Sequence, residues 1–311
     1  MEDGRILSFK PILIEDREVI TRYTYSGSFQ NCDYAFANMC SWRFRYLSEY
    51  SVRHPFLFIR FFVEDEGRKR LAYMFPAGHG DLREAVDLMN VDAEASGHPL
   101  LILGVTTEAK AQLEALFPNQ FNFIAERDYF DYVYLREDLA TLKGKNFQAK
   151  RNHINRFNKQ YDYTYIPVTQ DIIPECMALE QLWYETNKDA ENNIDLYHER
   201  CSMRFAFEHF DELGLIGGAI AVDHKIISFA YGSPVNQNTF AIHVEKSDVR
   251  YDGIFSVICQ EFAKHIHSQY VYINREEDLG LPGLRQSKLS YHPYLLLEKS
   301  AATKKQQLCV K

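Results

Sequence analysis

The sequence predicts an α/β protein built from two halves of similar size, and three observations lead to this prediction. The chain has 311 residues, about twice the length of an average domain. Apolar residues make up 46% of it and charged residues 25%, as in a globular protein with a sizeable core. Segments with strand character alternate with segments of helical periodicity, and this order is typical of α/β layers.

The first half is predicted to begin with two helices and then to alternate strands with helices. Apolar runs at 55–63 and 71–75 flank a charged turn that contains Gly67, which predicts a hairpin. Asp81 is an N-cap candidate for the next helix, which ends before Gly97. The predicted helices are 15–25, 33–42, 81–96 and 107–117, and the further strands are 100–104 and 130–135.

The second half repeats a related order of elements. The predicted helices are 142–161, 174–187, 197–210, 253–267 and 281–289, and the strands are 163–167, 213–222, 225–231, 239–246, 270–274 and 294–297. The domain boundary is placed near 140, which gives domains 1–140 and 141–300 and a polar, flexible tail, 301–311. The related orders suggest a tandem duplication, a hypothesis that shared topology of the two halves would support.

The composition argues against several classes of protein. A formal charge of −8 argues against a protein whose main task is to coat nucleic acid, although it permits a local basic patch. The six cysteines form no CxxC pair, so the sequence predicts buried thiols and no metal site. The N-terminus lacks the pattern of a signal peptide, and the longest nearly uncharged run, 213–222, is about half a membrane span. A cytoplasmic protein without a transmembrane segment is expected.

The predicted helix 142–161 carries a run of positive charge. It has no acidic residue, and Lys150 falls within its apolar stripe while Arg151 flanks the stripe. An unpaired buried ammonium is unfavourable and normally lies beside an anion. The helix is therefore either a solvated cationic face or a polyanion site for a tRNA backbone, CoA phosphates or a phospholipid head group. Its cations are Lys143, Lys145, Lys150, Arg151, Arg156 and Lys159.

The strand 239–246 and the turn that follows it form a second candidate region. Strict alternation places His243 and Glu245 on the same face of the sheet. The turn Arg250-Tyr251-Asp252-Gly253 leads into a helix whose N-terminus offers unpaired backbone N–H groups to a phosphate. A simpler interpretation, in which Asp252 caps the helix and the glycine only turns the chain, stays open.

The polar segment Asn274-Arg275-Glu276-Glu277-Asp278-Leu279-Gly280 is the most informative stretch of the chain. It follows an apolar strand, and ligands of α/β proteins usually bind at the carboxyl ends of strands. The alternative is a solvated ion-pair loop, in which the three acids meet Arg275, Arg285 and Lys288. Asn274 at the strand end and Tyr291 one short helix later favour a binding role.

Three segments resemble a bacterial family of unknown function that is grouped with the C-terminal domain of phosphatidylglycerol lysyltransferase. They are 134–157 (YLREDLATLKGKNFQAKRNHINRF), 240–265 (FAIHVEKSDVRYDGIFSVICQEFAKH) and 272–293 (YINREEDLGLPGLRQSKLSYHP), the last being the most specific. The resemblance spans nearly the whole chain. It implies two tandem domains of the GNAT (N-acyltransferase) fold, each a mixed sheet flanked by helices. The same doubled fold occurs in the Fem peptidyl transferases, which take aminoacyl groups from tRNA.

The resemblance also implies roles for particular residues. Strand 239–246 is similar to the central strand that carries the general base in many GNAT enzymes, and Asn274 would stand beside the splayed groove of the acyl donor. The segment 250–255 is similar to the pyrophosphate loop R/Q-x-x-G-x-G/A, but Phe255 replaces the last small residue. A bulky side chain there argues against acyl-CoA. The lysyltransferase itself carries a membrane-embedded flippase that has no counterpart here, so its activity on a membrane lipid is not expected of this chain.

Together, the residues and the resemblance predict a transferase that moves an acyl or aminoacyl group onto an amine or hydroxyl. Aminoacyl-tRNA is the preferred donor and tRNA the expected partner, with acyl-CoA as the alternative donor; no tightly bound cofactor is predicted. The acceptor stays open between a small molecule, a lipid and a peptide. The catalytic candidates are Glu245 or His243 as base, Asn274 for the oxyanion and Tyr291 as general acid. The donor-binding candidates are Lys150, Arg151, Arg250, Tyr251, Gly253, Arg285 and Lys288.

The rival hypothesis is a non-catalytic protein that binds a nucleotide, a metabolite or RNA. The two hypotheses require different surroundings for Glu245 and Asn274. An open groove that passes both residues and ends at Arg250 and Lys150 would favour catalysis. Burial of both residues in closed pairs would count against it.

Overall fold

The computed structural model describes residues 7–65, 67–187 and 193–305. The chain divides into two compact units. The N-terminal unit contains the described residues up to Asp131, the segment Glu277–Gly280 and the described residues from Leu297 on; the C-terminal unit contains Tyr132–Glu276 and Leu281–Leu296. The division therefore falls within the strand predicted at 130–135 rather than after it, and the chain returns twice to the N-terminal unit. The predicted boundary near 140 missed both features.

The regular elements follow the predicted order closely. The strands are β1 (Lys10–Pro11), β2 (Glu49–Arg53), β3 (Phe56–Asp65), β4 (Arg68–Met74), β5 (Ala77–Gly78), β6 (Leu101–Thr106), β7 (Phe121–Ala125), β8 (Asp131–Leu135), β9 (Tyr163–Pro167), β10 (Ile216–Val222), β11 (Lys225–Pro234), β12 (Thr239–Ser247), β13 (Tyr272–Asn274), β14 (Leu295–Leu297) and β15 (Lys299–Lys304). The α-helices are α1 (Arg17–Thr24), α2 (Phe36–Ser41), α3 (Arg43–Tyr46), α4 (Leu82–Ala95), α5 (Thr107–Leu116), α6 (Arg136–Thr141), α7 (Gln148–Gln160), α8 (Ile173–Asn187), α9 (Asn193–Glu208), α10 (Ile254–His265) and α11 (Pro282–Leu289).

The N-terminal unit is built on a mixed sheet with the order β1-β2-β3-β4-β6-β15-β7, and β5 pairs with β3. Strands β4 and β6 are parallel, and helix α4 connects them. Asp81 caps this helix as predicted, because its side chain accepts hydrogen bonds from the backbone N–H groups of Arg83 and Glu84. The other pairs in this sheet are antiparallel.

The C-terminal unit is built on a second mixed sheet with the order β14-β8-β13-β12-β11-β10-β9. Strands β12 and β13 are parallel and are connected by α10, whereas the pairs from β12 through β11 and β10 to β9, and β13 with β8, are antiparallel. Each unit has its own cluster of buried apolar side chains. The predicted fold class, two mixed sheets flanked by helices, is confirmed.

The two sheets share one topology. In each, an antiparallel group leads to a parallel pair joined by a helix, and the strand beyond that pair comes from a distant part of the chain: β15 in one sheet and β8 in the other. The matching order supports the hypothesis of a tandem duplication. The flexible tail predicted at 301–311 is wrong for 301–304, because β15 is hydrogen-bonded to β6 and β7 on its two sides; residues 306–311 lie outside the described part.

The predicted helix 142–161 is shorter than expected. Leu142 and Gly144 have positive φ angles of 48° and 92°, which end α6 and delay the start of α7. Over the described residues, no helix is both long and apolar enough to span a bilayer.

Candidate functional site

The candidate site lies where β12 and β13 diverge. The two strands pair only at Thr239–Ala241 and Tyr272–Asn274. Beyond Asn274 the chain turns toward β8: Arg275 N–H donates to the Tyr132 carbonyl at 2.9 Å, and Tyr132 N–H donates to the Glu276 carbonyl at 3.2 Å. Backbone pairing thus gives way to side-chain pairs between the second half of β12 and residues 275–276.

His243 lies in a β-bulge of β12. Tyr231 of β11 is opposite Val244 and Gly232 is opposite Ile242, so the register shifts across His243. Bulges re-aim side chains and often lie next to active sites. Residues that are directly opposite each other share a face of the sheet, so Glu245 shares the face of Ala230, and Ile242 shares the face of Gly232, two residues further along β11. Ile242 and Glu245 therefore lie on one face. His243, which follows Ile242, lies on the other. The prediction that the two share a face is wrong, because it assumed an unbroken strand.

The His243 ring is held between two hydrogen-bond partners. Its Nε2 is 2.7 Å from Ser233 Oγ, and its Nδ1 is 2.8 Å from Glu276 Oε1. A carboxylate can only accept, so Nδ1 carries the proton and Nε2 accepts from the serine hydroxyl. A proton-bearing nucleophile, a base and a carboxylate that orients the base are the parts of an acyl-transfer relay. The His243 side chain is only 5% exposed.

Asn274 holds the backbone turn that carries Glu276. It is fully buried, and its Oδ1 accepts a 2.7 Å hydrogen bond from the backbone N–H of Glu276. Glu276 has a φ of 57°, a left-handed conformation that such a side-chain bond helps to hold. The structure therefore gives the predicted oxyanion residue a positioning contact: it fixes the turn from which the Glu276 carboxylate reaches His243.

Glu245, the other predicted base, is held in an ion pair. Its carboxylate is 3.1 Å from Arg275 Nη2, and the two side chains are 13% and 10% exposed. The Arg275 guanidinium also lies over the rings of Tyr134 and Tyr291, at 5.8 Å and 4.9 Å from their centres. Both Glu245 and Asn274 are thus held by partners, the arrangement that counts against catalysis at these two residues and leaves no open base at Glu245.

Lys150 and Tyr291 are brought together on the same face as Arg275. The Lys150 Nζ lies 3.8 Å from the centre of the Tyr291 ring, a cation–π contact. Burial raises the pKa of the Tyr291 phenol well above its ordinary value, so it is a weak candidate for a general acid. Burial also lowers the pKa of the half-buried Lys150 ammonium.

Three other predicted donor-binding residues make contacts within the C-terminal unit. Arg151 donates to the carbonyls of Leu142 and Gly144 and so closes the end of α6. Arg250 is 63% exposed, forms a fork-like ion pair with Asp248 and lowers the pKa of that carboxyl. Tyr251 packs against Tyr161, with ring centres 5.0 Å apart. These contacts are local, and the phosphate-binding role of these residues stays a prediction.

Arg285 and Lys288 lie on the short helix α11. Lys288 is buried, and its Nζ donates to the backbone carbonyl of Arg275 at 2.5 Å. That bond fixes the backbone that carries the ion pair with Glu245. Arg285 is half-buried one turn earlier. Lys288 therefore makes a structural contact, and its phosphate-binding role stays a prediction.

Gly253 is required by packing. Its φ is 91°, and a Cβ there would lie 2.7 Å from the carbonyl oxygen of His153 and 3.4 Å from Phe157 Cβ. The close approach that this glycine allows is therefore to helix α7, whereas the sequence predicted an approach to a phosphate.

Substitution of Gly253 by Ala tests this interpretation, with Gly97→Ala as a matched control. Gly97 follows the last turn of α4 and has a similar φ, 79°, but nothing lies within 4 Å of its Cβ position. We expect Gly97→Ala to lower the free energy of unfolding by about 1–2 kcal/mol through backbone strain. Gly253→Ala should cost about 1–3 kcal/mol more, because α7 must move. Equal losses in urea unfolding would show that α7 leaves room at Gly253.

In the part of the chain that the structure describes, one group has the spacing of metal ligands. Cys32, Asp33 and Glu277 of the N-terminal unit have ligand atoms within 4.8 Å of one another. The buried Lys299 ammonium pairs with Asp33 at 3.1 Å, with Asp131 at 2.8 Å and with Glu277. A cation of the chain itself therefore balances these carboxylates.

Sequence reasoning missed three residues of the site: Ser233, Arg275 as the partner of Glu245, and Glu276 as the partner of His243. The predicted strand 225–231 ends two residues before Ser233. A longer strand would have paired Ser233 with Ala241 and so placed it near His243. The bulge leaves no comparable signal in the sequence. The turn at Glu276 depends on Asn274, for which the sequence predicts a role at the oxyanion.

Comparison with known proteins places the chain in a family. The family described as "Phosphatidylglycerol lysyltransferase, C-terminal" matches residues 27–303. A conserved protein of unknown function from Bacteroides thetaiotaomicron VPI-5482 is 46% identical, with a TM-score of 0.92 over 96% of this chain and 100% of that one. FemX has a TM-score of 0.60 over 95% of this chain and 97% of its own at 10% identity, a likeness of fold alone.

A curated relative, an uncharacterized protein of Mycoplasmoides gallisepticum (strain R(low / passage 15 / clone 2)), is 26% identical over 170 residues. That match covers 54% of this chain and 54% of the relative, so the chain aligns with about half of the relative's length. The family match, in contrast, extends over both units. The chain belongs to the family of the phosphatidylglycerol lysyltransferase C-terminal domain.

Proposed function

We propose that this protein transfers an aminoacyl or acyl group onto an amine or hydroxyl, with His243 as the general base. The observation that carries the proposal is the His243 ring, which is held at one nitrogen by Glu276 and at the other by a hydroxyl. A base that is oriented by a carboxylate and placed against a proton-bearing group meets the geometric requirement for acyl transfer.

The chemistry follows from that geometry. His243 Nε2 takes the proton of the acceptor amine or hydroxyl as the acceptor attacks the ester carbon of the donor, and Glu276 stabilises the resulting imidazolium. Collapse of the tetrahedral intermediate breaks the bond to the donor oxygen, which takes the proton back from His243. Ser233 Oγ marks the position at which an O–H or N–H group reaches Nε2.

Aminoacyl-tRNA is the donor we propose. The exposed cations Lys145 and Lys159 lie on or beside α7 with no ion pair among the residues that the structure describes, and α7 carries no acid. The packing of α7 against Gly253 argues against CoA phosphates at that glycine. The family name supports aminoacyl transfer, because lysyl transfer is the activity that it states.

A binding experiment tests the donor. We expect the affinity for aminoacyl-tRNA to fall steeply with salt, with one released counterion per phosphate contact. Fluorescence anisotropy with a labelled tRNA at several salt concentrations gives the slope, and calorimetry with CoA is the comparison. Affinity that does not change with salt, or tighter binding of CoA than of tRNA, would favour an acyl-CoA donor.

One observation favours the second candidate function, a non-catalytic binding protein. The Glu245 carboxylate is paired with Arg275, so it is not free to act as an acid or a base. The two functions separate in a turnover experiment with labelled aminoacyl-tRNA and a cell extract as the source of acceptor. Binding protects the ester without consuming it, whereas a transferase releases deacylated tRNA in repeated cycles.

A further inference from the structure

We propose that Lys150, Arg275 and Tyr291 form a binding site for a small carboxylate. This site does not depend on the transfer reaction proposed above, since it lies on the opposite face of the C-terminal sheet from His243. Three features carry the proposal: a buried donor without a partner, a second cation beside it, and a net positive charge.

The buried donor is Arg275 Nη1. Arg275 uses Nη2 to bind Glu245, and its side chain is only 10% exposed. Nη1 is inaccessible and has no hydrogen-bond partner among the residues that the structure describes. A buried guanidinium nitrogen is normally paired, because an unmade hydrogen bond to a charged group is unfavourable. The unused donor therefore points to an acceptor that the chain does not supply.

The second cation is Lys150. Its ammonium lies over the Tyr291 ring at 3.8 Å, and Arg275 lies over the same ring at 4.9 Å. Lys150 makes no ion pair with any residue in the described part of the chain, and α7 carries no acid to neutralise it. Burial lowers the pKa of the Lys150 ammonium, and repulsion by Arg275 adds to this shift. Lys150 is half-buried, so its ammonium also connects the site with solvent.

The charge count selects the class of ligand. Around the Tyr291 ring, Lys150 and Arg275 supply two positive charges and Glu245 one negative charge. The buried Lys288 ammonium instead lies over the Tyr132 ring and binds the Arg275 carbonyl. The neighbouring thiol of Cys259 is neutral, since burial raises its pKa to about 11, and the Tyr291 phenol is neutral as well. One positive charge is left uncompensated. A monoanion with two acceptor oxygens, as in a carboxylate, balances it and can bridge the arginine and the lysine.

Titration with sodium acetate at constant ionic strength tests the proposal, with sodium phosphate and sodium chloride as the comparison anions. We expect saturable binding of acetate in calorimetry and a rise in Tm that follows the occupancy. Lys150→Met should weaken acetate binding at least about tenfold, because it removes one charge-assisted hydrogen bond. Lys150→Arg should restore most of the affinity. Lys159→Met, an exposed cation of the same helix, is the matched control and should have no effect.

The second variant leaves Arg275 in place, because removal of Arg275 would leave the Glu245 carboxylate without its partner. Glu245→Gln adds one positive charge to the site, so it should tighten acetate binding and shift the preference toward phosphate. A purely structural cation–π cluster predicts neither change. The proposal is overturned if acetate binding is not saturable, if chloride competes as well as acetate does, or if Lys150→Met and Lys159→Met behave alike.

Discussion

Replacement of His243 by Ala is expected to lower kcat/KM for transfer about 10²–10⁴-fold, the usual contribution of a general base. The reason is specific to this ring: Nε2 faces a hydroxyl at 2.7 Å, and Nδ1 is fixed by Glu276 at 2.8 Å. Single-turnover release of a labelled aminoacyl group from tRNA measures the effect. His243→Gln is the companion variant, since an amide keeps hydrogen bonds to both neighbours but cannot take up the proton.

The controls separate catalysis from folding and from the other candidate base. Glu276→Gln should lower the rate less than loss of the ring does, because an amide still positions His243 but stabilises the imidazolium poorly. Glu245→Gln leaves the relay intact and should retain the rate, if the ion pair with Arg275 is only structural. Full activity in His243→Gln, or a loss of rate confined to Glu245→Gln, would contradict the proposal and would identify Glu245 as the general base.

Ser233→Ala distinguishes two forms of the mechanism. If Ser233 only occupies the position of the acceptor, its removal leaves the rate within a few-fold of the parent. If it carries the acyl group between donor and acceptor, the variant loses as much activity as His243→Ala, and no acyl-enzyme accumulates.

Local patterns predicted most of the fold, because most elements here are specified locally. Helix α4 has its N-cap at Asp81, and the hairpin of β3 and β4 has its turn around Gly67, both as expected. The exchange of strands was not predictable in this way. The local pattern predicts β8 as the last strand of the first half and β15 as part of a polar tail. In the structure β8 pairs within the second sheet and β15 within the first, and no local pattern encodes this pairing.

The candidate site was predicted by region but not by geometry. His243, Glu245, Lys150 and Tyr291 were all named from the sequence, yet a single bulge divides them between the two faces of the sheet. One inserted residue reverses the alternation of everything beyond it. The same limit applies to Arg275, which looked like a loop charge and is instead a buried partner of Glu245.

The polar segment 274–280 explains why its charges were difficult to assign. Asn274 shapes the turn, Arg275 binds Glu245 and Glu276 orients His243, all within the C-terminal unit. Glu277 belongs to the N-terminal unit and binds Lys299 there. Four successive residues thus make four separate contacts, although their composition alone resembles that of a single solvated ion-pair loop.

Lys299→Met is expected to be the most destabilising single substitution in the N-terminal unit, with a loss of about 3–5 kcal/mol in the free energy of unfolding. The Lys299 ammonium is 6% exposed and is 2.8 Å from Asp131, which is fully buried, and it also pairs with Glu277, which is 17% exposed. Methionine keeps the apolar stem and removes the charge, so both carboxylates are left buried without their cation. Lys304→Met on the same strand is the matched control, because Lys304 has no ion pair within the described ranges.

The pH dependence gives this prediction a sign. The neighbouring carboxylates raise the pKa of Lys299 above its ordinary value, so its contribution is complete below the unfolded pKa of about 10.4 and is lost as the pH rises through the folded value. The deficit of Lys299→Met should therefore be constant from about pH 6 to about pH 9 and should shrink as the pH rises above about 10.4, where the parent protein itself loses this contribution, in urea unfolding measured at each pH. A deficit that is the same at every pH, or one no larger than that of Lys304→Met, would mean that water reaches these carboxylates and that the ammonium does not hold them alone.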